Sequence, residues 1–582
     1  MHSLRNYTCI LTLGGVAVAL IANGCGGGGS AIIGDAGSDS STEASSGSDS
    51  GHGDTGARDG NSGTEAGGDG SVSEGGMGEG GLTEGGDASE GGSPTDGATD
   101  GSMEAGATCT TVGTACSTAG EICCAASASS NACVTGNCCT NTQCSGVTPA
   151  CNPANHTCAA CDAPSGATVV VDPVNGSDAT GQGSGTVGGQ ADGICAFKTI
   201  SYALAHLGTA TTISVLPTGT VGTASGETFP LTLPASVDVV GATSGTPTVM
   251  TVPAAGAATN SGVGFVLASD GSSVRNFTIG GGSAATHGIL VTTGATLSTN
   301  IGSVEVSGFV QAGVRVEVSA QLTINAGTNL HTNGTAGSAE LSGLHVTGAA
   351  HVAIVGAASA PIQFNTNGQS GILVDGLSWV TLTGTPGSSS AGSVVANNNT
   401  VDGIEIHQEG NGIPTNTITG LVAASNTQDG ARIYANSVAT VRGSVFMGNG
   451  ADGVDIQSTG VGATQTFDVT GIDLGTDLTT NAGGNVLQST SSPNNGAGLC
   501  LDIPASKGMT LMAQGNKWVT ASGPIDCATT IGTLTESASV AILGRACLGA
   551  VDIGGSGLSG TVTPNGVNVN ECTCGGTGTI CN

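Results

Sequence analysis

Apolar and polar residues alternate with a period of two in short segments that recur along the chain, and each segment follows a glycine. After Gly430, for example, Ala431 and Ile433 are apolar whereas Arg432 and Tyr434 are polar. This alternation predicts β-strands with one face in a core and the other toward solvent. The repeat glycines are spaced 23 to 45 residues apart, which indicates stacked β rungs rather than a helical repeat. They are Gly264, Gly288, Gly313, Gly343, Gly371, Gly403, Gly430, Gly453 and Gly498.

Asparagines recur in register with these glycines. Five of them lie four residues before a repeat glycine: Asn367, Asn399, Asn426, Asn449 and Asn494. An asparagine at the same turn of successive rungs can pass side-chain hydrogen bonds from rung to rung, and it tolerates the left-handed backbone of a sharp turn. The sequence therefore predicts a structural asparagine ladder.

With this repeat and this ladder, the chain resembles the right-handed parallel β-helix proteins of the pectate-lyase-like group. The resemblance implies an all-β solenoid, and its handedness also follows from the rule for parallel crossovers. It implies that a site, if there is one, lies on an outward strand face.

Residues 169–241 predict the start of this solenoid. Val169–Val171 predicts a strand, and an amphipathic helix follows, with Thr199 as its N-cap and Gly208 at its end. The helix would cover the open first rung. Its apolar positions are Ile200, Ala203, Leu204 and Leu207. The motifs VDPVNGSD, FKTISYAL and GETFPLTLP resemble an uncharacterised domain family at the start of secreted bacterial β-helices, which implies a fold and no activity.

Eighteen cysteines follow residue 25, and eleven of them lie within about 50 residues that contain few large apolar side chains. Such a segment requires cross-links to fold, so we predict a disulfide-rich module, with Cys195 as the twelfth partner and unknown connectivity. A zinc site at His156, Cys158 and Cys161 is the alternative. The predicted disulfide cysteines are Cys109, Cys116, Cys123, Cys124, Cys133, Cys138, Cys139, Cys144, Cys151, Cys158, Cys161, Cys195, Cys500, Cys527, Cys547, Cys572, Cys574 and Cys581.

The N-terminal segment predicts export. Arg5, the apolar run from Ile10 to Ala22 and the small residues after it form a signal peptide. Gly24-Cys25 resembles a bacterial lipobox, in which Cys25 would be lipidated, and cleavage after Ala19 is the alternative. Between residues 26 and 107, sixteen acidic residues accompany one basic residue, which predicts a disordered, self-repelling tether.

These features divide the 582 residues into five predicted segments. They are a signal peptide (1–24), a lipidated cysteine with a disordered acidic Gly/Ser-rich linker (25–107), a Cys-rich module (108–164), the parallel β-helix (165–523) and a Cys-containing C-terminal cap (524–582).

Polar residues two and four positions after each repeat glycine should stack in columns on the outward face, about 4.8 Å apart. Three rungs then form one patch: Glu405, His407, Arg432, Tyr434, Asp455 and Gln457. Carboxylates beside an arginine and a histidine suit a polysaccharide lyase or a glycoside hydrolase. In that hypothesis Glu405, His407, Arg432 and Asp455 are the catalytic candidates, and Tyr434 and Gln457 belong to the binding face.

The competing hypothesis is a flat, solvated sheet face with cross-strand ion pairs, and we favour it because the patch has one aromatic residue. Asp402, Asp429 and Asp452 each precede a repeat glycine. We interpret them as turn residues that bond their own backbone, with calcium ligation as the minority interpretation.

The sequence thus predicts a non-catalytic β-helix lipoprotein that serves in display or binding at the bacterial outer membrane or cell surface, or is otherwise secreted. Its expected partner is the membrane, through the N-terminal lipid. The sequence leaves the bound ligand open, with an extracellular or envelope glycan as one candidate. The net charge of −32 argues against nucleic acid. No cofactor or metal apart from calcium is expected, and the alternative function is a pectate-lyase-like polysaccharide lyase or hydrolase.

Overall fold

The computed structural model describes residues 109–127, 130–256, 262–282, 284–334, 341–385, 392–409, 412–457, 468–476 and 480–488, with short pieces between 492 and 524. Nearer the N-terminus it describes Leu11–Leu13 and Val16–Val18, which pair as antiparallel strands in a separate compact unit. The predicted lipidation site Cys25, the acidic linker and residues 525–582 lie outside the described residues. No described helix is long and apolar enough to cross a membrane.

The main unit is a parallel β-helix, as predicted. One face is a sheet of ten described strands, in which each strand pairs in parallel with the next. These strands are Leu231–Leu233, Val263–Leu267, His287–Val291, Val314–Val316, Leu344–Val346, Ile372–Gly376, Ile404–Gln408, Ala431–Tyr434, Val454–Gln457 and Leu499–Asp502. We call this sheet the front sheet.

Two further parallel ladders complete the solenoid, and they share the long strands Ser273–Gly281 and Asn300–Ser307. The first ladder also contains Thr168–Val171, Thr212–Val215, Asp238–Val240, Gln321–Asn325, His351–Val355, Trp379–Thr383, Asn416–Thr419, Ala439–Arg442 and Ile472–Asp473. The second contains Thr220–Val221, Thr248–Val252, Asn329–His331, Ile362–Asn365, Val394–Val395, Leu421–Ala424, Val445–Met447, Val486–Gln488 and Lys517–Thr520, and Gly523–Pro524 pairs antiparallel with the last.

The apolar positions of the alternating pattern form one continuous core inside the coil. In the front sheet they stack in register from rung to rung, because each of the seven strands from Val314–Val316 to Leu499–Asp502 begins directly after its repeat glycine. Burial of such side chains, worth about 25 cal/mol per Å² of apolar surface, is the main stabilising term of the solenoid. One buried column consists of Val314, Leu344, Ile372, Ile404, Ala431, Val454 and Leu499.

A ladder of buried asparagines crosses the turn before the front sheet. Each side-chain amide nitrogen donates to Oδ1 of the next asparagine at 3.0–3.3 Å, and the same Oδ1 also accepts the preceding asparagine's backbone N–H. The described ladder runs through Asn333, Asn367, Asn399, Asn426, Asn449 and Asn494. Asn333 does not lie four residues before a repeat glycine, as the other ladder asparagines do, because extra residues separate it from Gly343.

The left-handed backbone of this turn lies at the residue before the asparagine and not at the asparagine, where the sequence predicts it. Thr366, Asn398 and Ser425 have φ of 57–59°, and each directly precedes a ladder asparagine. The ladder asparagines themselves are absent from the positive-φ residues of the described chain. Asparagine is therefore required here for its amide, which both donates and accepts, and not for its tolerance of a left-handed conformation.

The repeat glycines are required by close approach. At Gly430 a Cβ atom would lie 2.6 Å from the carbonyl oxygen of Gly453 and 2.8 Å from Nδ2 of Asn449. The backbone of Gly430 is not left-handed. The ladder amide of the next rung thus occupies the space where a side chain would stand.

Asn426→Ala is expected to lower the free energy of unfolding by about 1–3 kcal/mol, because it leaves the buried backbone N–H of Asn399 without an acceptor. Chemical denaturation monitored by circular dichroism measures the effect. Asn300→Ala is the matched control, since the described bond of its side chain is to Ser298 at a partly exposed site, and we expect a change within about 0.5 kcal/mol. Equal losses in both variants would contradict a stabilising ladder.

The predicted helix covers the N-terminal end of the coil. It spans Ile200–Ala205, and the Thr199 hydroxyl accepts the N–H of Tyr202 at 3.1 Å. Ile200 and Ala203 are buried, and Leu204 and Leu207 pack against the same core. Glu227 adds a second cap, because its carboxylate accepts the backbone N–H groups of Ile200 and Ser201, each at 2.8 Å.

The Cys-rich module precedes this helix. It contains the paired strands Glu121–Ser127 and Ser130–Thr135, and the paired strands Ala150–Asn152 and Thr157–Ala159. The module also contains the short 3₁₀ helix Asn141–Gln143. Between the module and the helix, Thr186–Val187 pairs with Gln190–Ala191 and a 3₁₀ helix spans Gly193–Cys195, and a further 3₁₀ helix, Thr223–Ser225, follows the helix. Six disulfides join Cys109 to Cys123, Cys116 to Cys133, Cys124 to Cys139, Cys138 to Cys151, Cys144 to Cys158 and Cys161 to Cys195.

The disulfide pairing contradicts the alternative of a zinc site at His156, Cys158 and Cys161. Cys158 and Cys161 are both in disulfides, so neither offers a thiolate beside His156. Cys195 is the partner of Cys161, which ties the module to the start of the solenoid. Cys500 is also disulfide-bonded. Cys527, Cys547, Cys572, Cys574 and Cys581 lie outside the described residues.

Candidate functional site

The register of the front sheet brings the predicted patch together. Glu405, Arg432 and Asp455 are direct neighbours on three consecutive strands, and Tyr434 pairs with Gln457. The two columns therefore have the order that the glycine spacing predicts.

The face around Arg432 is not the solvated wall that we expected. Asp455 is 4% exposed and Glu405 is 7% exposed, and the Arg432 side chain retains 14% of its exposure. Alternation along a strand shows which side chains point away from the core, but it does not show what covers them. The favoured interpretation of the patch as exposed surface charge is therefore wrong for these three residues.

Arg432 is held by three carboxylates. Its guanidinium lies 3.1 Å from Oδ2 of Asp402, 2.7 Å from Oδ2 of Asp429 and 3.6 Å from Oδ2 of Asp455. It also donates a 2.7 Å hydrogen bond to Gln428. We call Asp402, Asp429, Asp455 and Arg432 the arginine cluster.

Two of these aspartates belong to a second ladder, which corrects the interpretation of Asp402, Asp429 and Asp452 as turn residues that bond their own backbone. The backbone N–H of Asp429 donates to Oδ1 of Asp402 at 2.9 Å, and that of Asp452 donates to Oδ1 of Asp429 at 2.8 Å. Asp402 and Asp429 therefore use one oxygen for the next rung and the other for Arg432.

Burial shifts the titration of the arginine cluster. It raises the pKa of Asp402 and of Asp455 well above the ordinary value, and raises that of Asp429, while Arg432 acts in the opposite direction. Burial alone would favour a neutral arginine, but the three carboxylates outweigh it and raise the pKa of Arg432. Burial, followed by the charge of Glu405, raises the pKa of Tyr434. Three carboxylates thus share one permanent positive charge.

The arginine cluster also bears on the minority interpretation that Asp402, Asp429 and Asp452 bind calcium. Arg432 already supplies a positive charge to Asp402 and Asp429, the role that a cation would have there. Asp452 and Asp455 lie beside Cys500, but that cysteine is in a disulfide and offers no thiolate. Any calcium at this site would have to compete with the guanidinium.

The remaining members of the patch form other contacts. Glu405 accepts a hydrogen bond from Ser370 at 3.0 Å, and Gln457 donates one to Asp455 at 2.6 Å. The His407 ring lies 4.4 Å from the Tyr434 ring, and its Nε2 is 3.1 Å from Oε1 of Glu409. His407 thus joins a different group of side chains from the arginine cluster.

That second group extends to His345 and Asp375, which are not among the predicted site residues. Nδ1 of His407 is 3.8 Å from Oδ1 of Asp375, and Nε2 of His345 is 3.9 Å from Oδ2 of the same carboxylate. The contact with His345, then the charge of His407, lowers the pKa of Asp375 although burial opposes this. His345, Asp375 and His407 all lie in the two outward columns. The predicted patch covered only the three rungs that carry Glu405, Arg432 and Asp455.

The chain is similar to the periplasmic alginate epimerase AlgG (14% identity, TM-score 0.28, covering 52% of this chain and 72% of that one). It is also similar to the mannuronan C-5 epimerase AlgE6 A-module of Azotobacter vinelandii (14%, 0.27, 52% and 86%) and to the pectate lyase Pel9A (12%, 0.30, 68% and 91%). At these identities the likeness concerns the β-helix fold alone.

Comparison of the sequence with protein families identifies no function. Residues 180–378 match a family model described as a protein of unknown function, DUF1565. This match overlaps the segment that resembles an uncharacterised domain. No curated protein sequence matches the chain significantly.

Proposed function

We propose that this protein is a non-catalytic β-helix lipoprotein of the cell envelope, whose solenoid serves in display or binding at the surface. One observation carries the non-catalytic part: Arg432 is mostly buried and bound by three carboxylates. An arginine in that position has a structural role, because it neutralises the carboxylates around it. It is not directed toward a substrate carboxylate.

The geometry of the carboxylates supports the same conclusion. A general acid or base must come within about 3 Å of the reacting atom. Asp402 is fully buried, and Asp455 and Glu405 are buried as well, so none of them presents its carboxylate on an open surface. The more accessible His407 lies instead with Tyr434 and Glu409.

A polysaccharide lyase or glycoside hydrolase is the second candidate function, and one observation favours it. Buried carboxylates with raised pKa values are common at catalytic sites. Structural ion-pair networks raise such pKa values too, and the three contacts of Arg432 support that explanation here.

We expect no cleavage when the purified protein is incubated with a panel of alginate, pectate and neutral glycans, with and without calcium. Ultraviolet absorbance of unsaturated uronides reports lyase activity, and new reducing ends report hydrolysis. Glu405→Gln is the informative variant, because it keeps the shape and the contact with Ser370. Cleavage by the wild type that is lost in a folded Glu405→Gln protein would replace our proposal with the enzymatic one.

Intact-mass analysis of the mature protein from membranes is expected to find a lipidated N-terminal Cys25. The reason is the Gly24-Cys25 motif after a short apolar run. Cys25→Ser is expected to release the protein from the membrane fraction, whereas Cys9→Ser, within the signal peptide, is expected to leave the anchor intact. An unmodified N-terminus at Leu20 would contradict lipidation.

A further inference from the structure

We propose that a cavity beside the C-terminal end of the capping helix, Ile200–Ala205, binds one sugar ring of a neutral glycan, with Tyr202 and His206 as its aromatic contact surface. The cavity lies at the N-terminal end of the solenoid and contains no residue of the front sheet or of the arginine cluster. Such a site deepens the binding role proposed above and rests on it.

The cavity is formed by segments of the chain that meet at the first rung. Its walls come from residues 164–166, 179–182 and 202–210, together with Phe197, and its volume is about 470 Å³. Small-molecule sites typically measure about 300–1,000 Å³. Gly166 and Gly208 have left-handed backbone, with φ of 77° and 58°, so the wall consists of bare backbone at these two positions.

Three rings converge on this cavity, in a chain whose content of Phe, Tyr and Trp is only 2%. The rings of Tyr202 and His206 stack, with 3.9 Å between their centroids and 17° between their planes. Phe197 is buried and meets the Tyr202 ring edge to face at 5.2 Å. His206 is exposed and Tyr202 is half-buried. The rings are therefore fixed by packing before a ligand arrives, which reduces the entropic cost of binding.

Polar groups around these rings are free to bond a ligand. Nδ1 of His206 lies 2.9 Å from the backbone carbonyl oxygen of Tyr202, and because a carbonyl oxygen only accepts, this nitrogen carries the proton. In the neutral ring Nε2 is then an acceptor. The side chains of Gln182 and Thr209 are exposed. Within the described chain, no hydrogen bond uses these two side chains, the Nε2 of His206 or the hydroxyl of Tyr202.

The charge of the walls selects the class of ligand. None of the lining residues is Asp, Glu, Lys or Arg, although the net charge of the chain is −32. A cation could stack on the rings but would find no carboxylate there. An anionic glycan would find no basic side chain and would be repelled by the chain as a whole.

The polar groups exclude a purely apolar ligand, because it would bury them without hydrogen-bond partners. The pyranose ring of a neutral sugar meets both requirements. Its C–H face can lie on the aromatic surface, and the hydroxyls along its edge can bond the surrounding donors and acceptors.

The test is titration of the mature, disulfide-intact protein with neutral trisaccharides of glucose, N-acetylglucosamine, mannose and xylose, by isothermal calorimetry and saturation-transfer NMR. We expect binding of at least one of them and no binding of trigalacturonate. Tyr202→Ala is expected to weaken binding at least about 10-fold, as for a tyrosine at the centre of a binding site. Tyr202→Phe, which keeps the ring and removes the hydroxyl, is expected to weaken it less.

His351→Ala is the matched control. It also removes a histidine that stacks on an aromatic ring, that of Trp379 at 4.6 Å, and binding should not change. His206→Ala keeps the experiment decisive if Tyr202→Ala fails to fold, since His206 is exposed. We expect that variant to bind about 3-fold more weakly or worse.

The proposal is overturned if the wild type binds none of the neutral trisaccharides, if it binds trigalacturonate equally well, or if folded Tyr202→Ala or His206→Ala binds as well as the wild type. Loss of binding in His351→Ala would overturn it too, because the sugar would then lie on another face. A wild type that binds no sugar would leave the non-catalytic lipoprotein standing, since the cleavage and mass measurements test that function separately.

Discussion

Replacing Arg432 with leucine is expected to lower the free energy of unfolding at neutral pH by about 3–5 kcal/mol, the usual cost of removing one partner from a buried ion pair. The variant leaves the buried carboxylates of Asp402, Asp429 and Asp455 without their shared positive charge. Urea unfolding curves followed by circular dichroism measure the loss. Arg275→Leu is the control, because its pair with Asp238 is exposed and should contribute less than about 1 kcal/mol.

The decrease in the free energy of unfolding caused by Arg432→Leu is also expected to become smaller as the pH falls. The pKa values of the three aspartates are raised in the folded protein, so protonation of these carboxylates favours folding. This stabilisation is complete below the pKa of about 3.8 that the groups have in the unfolded chain. It is lost as the pH rises through their pKa in the folded protein. Without Arg432 the folded pKa values rise further, so these carboxylates protonate at a higher pH. A deficit that stays constant between about pH 7 and about pH 5 would contradict this account of the arginine cluster.

Reduction of the disulfides is expected to unfold the Cys-rich module and leave the central rungs folded. The buried apolar residues of the described chain between 109 and 158 are Ile122 and Ala150, together with Cys123, Cys124, Cys138 and Cys151. The five disulfides within that segment span 13 to 17 residues, and each is worth about 3 kcal/mol in the chain-entropy account.

Hydrogen exchange read by mass spectrometry, before and after a thiol reductant, measures this difference. Peptides from 109–158 should lose protection. Peptides from 314–456 should keep it, because that stretch has no cysteine and its core is stacked Val, Ile and Leu. Loss of protection in both regions at the same reductant concentration would show that the solenoid depends on the module.

The fold could be predicted because its determinants are local and repeated. Each rung places a glycine under the amide of the next ladder asparagine, so both residues recur at one spacing. The rule failed at Asn333, where extra residues separate the asparagine from its glycine. It also failed for the left-handed residue, since Thr366, Asn398 and Ser425 share a backbone conformation but no side-chain type.

The candidate site was less predictable, for a physical reason. The columns follow from strand register, so the neighbours of Arg432 could be predicted, but the burial of Glu405 and Asp455 depends on packing that alternation does not encode. The contact of Arg432 with Asp402 depends on a turn side chain reaching across to a strand side chain. The pairing of His345 with Asp375 is likewise diagonal between rungs.

The asparagine ladder also determines how this chain can change in length. From Asn399 to Asn426 and from Gly403 to Gly430 the chain advances by the same 27 residues, and the next step is 23 for both. Deletion of 399–425 would therefore place Asn426 and Gly430 where Asn399 and Gly403 had been. Removal of a few residues between an asparagine and the glycine that follows it would move that glycine out from under the amide of the next rung. Duplications and deletions that preserve the solenoid are thus confined to whole coils, and smaller insertions to the loops outside this pair.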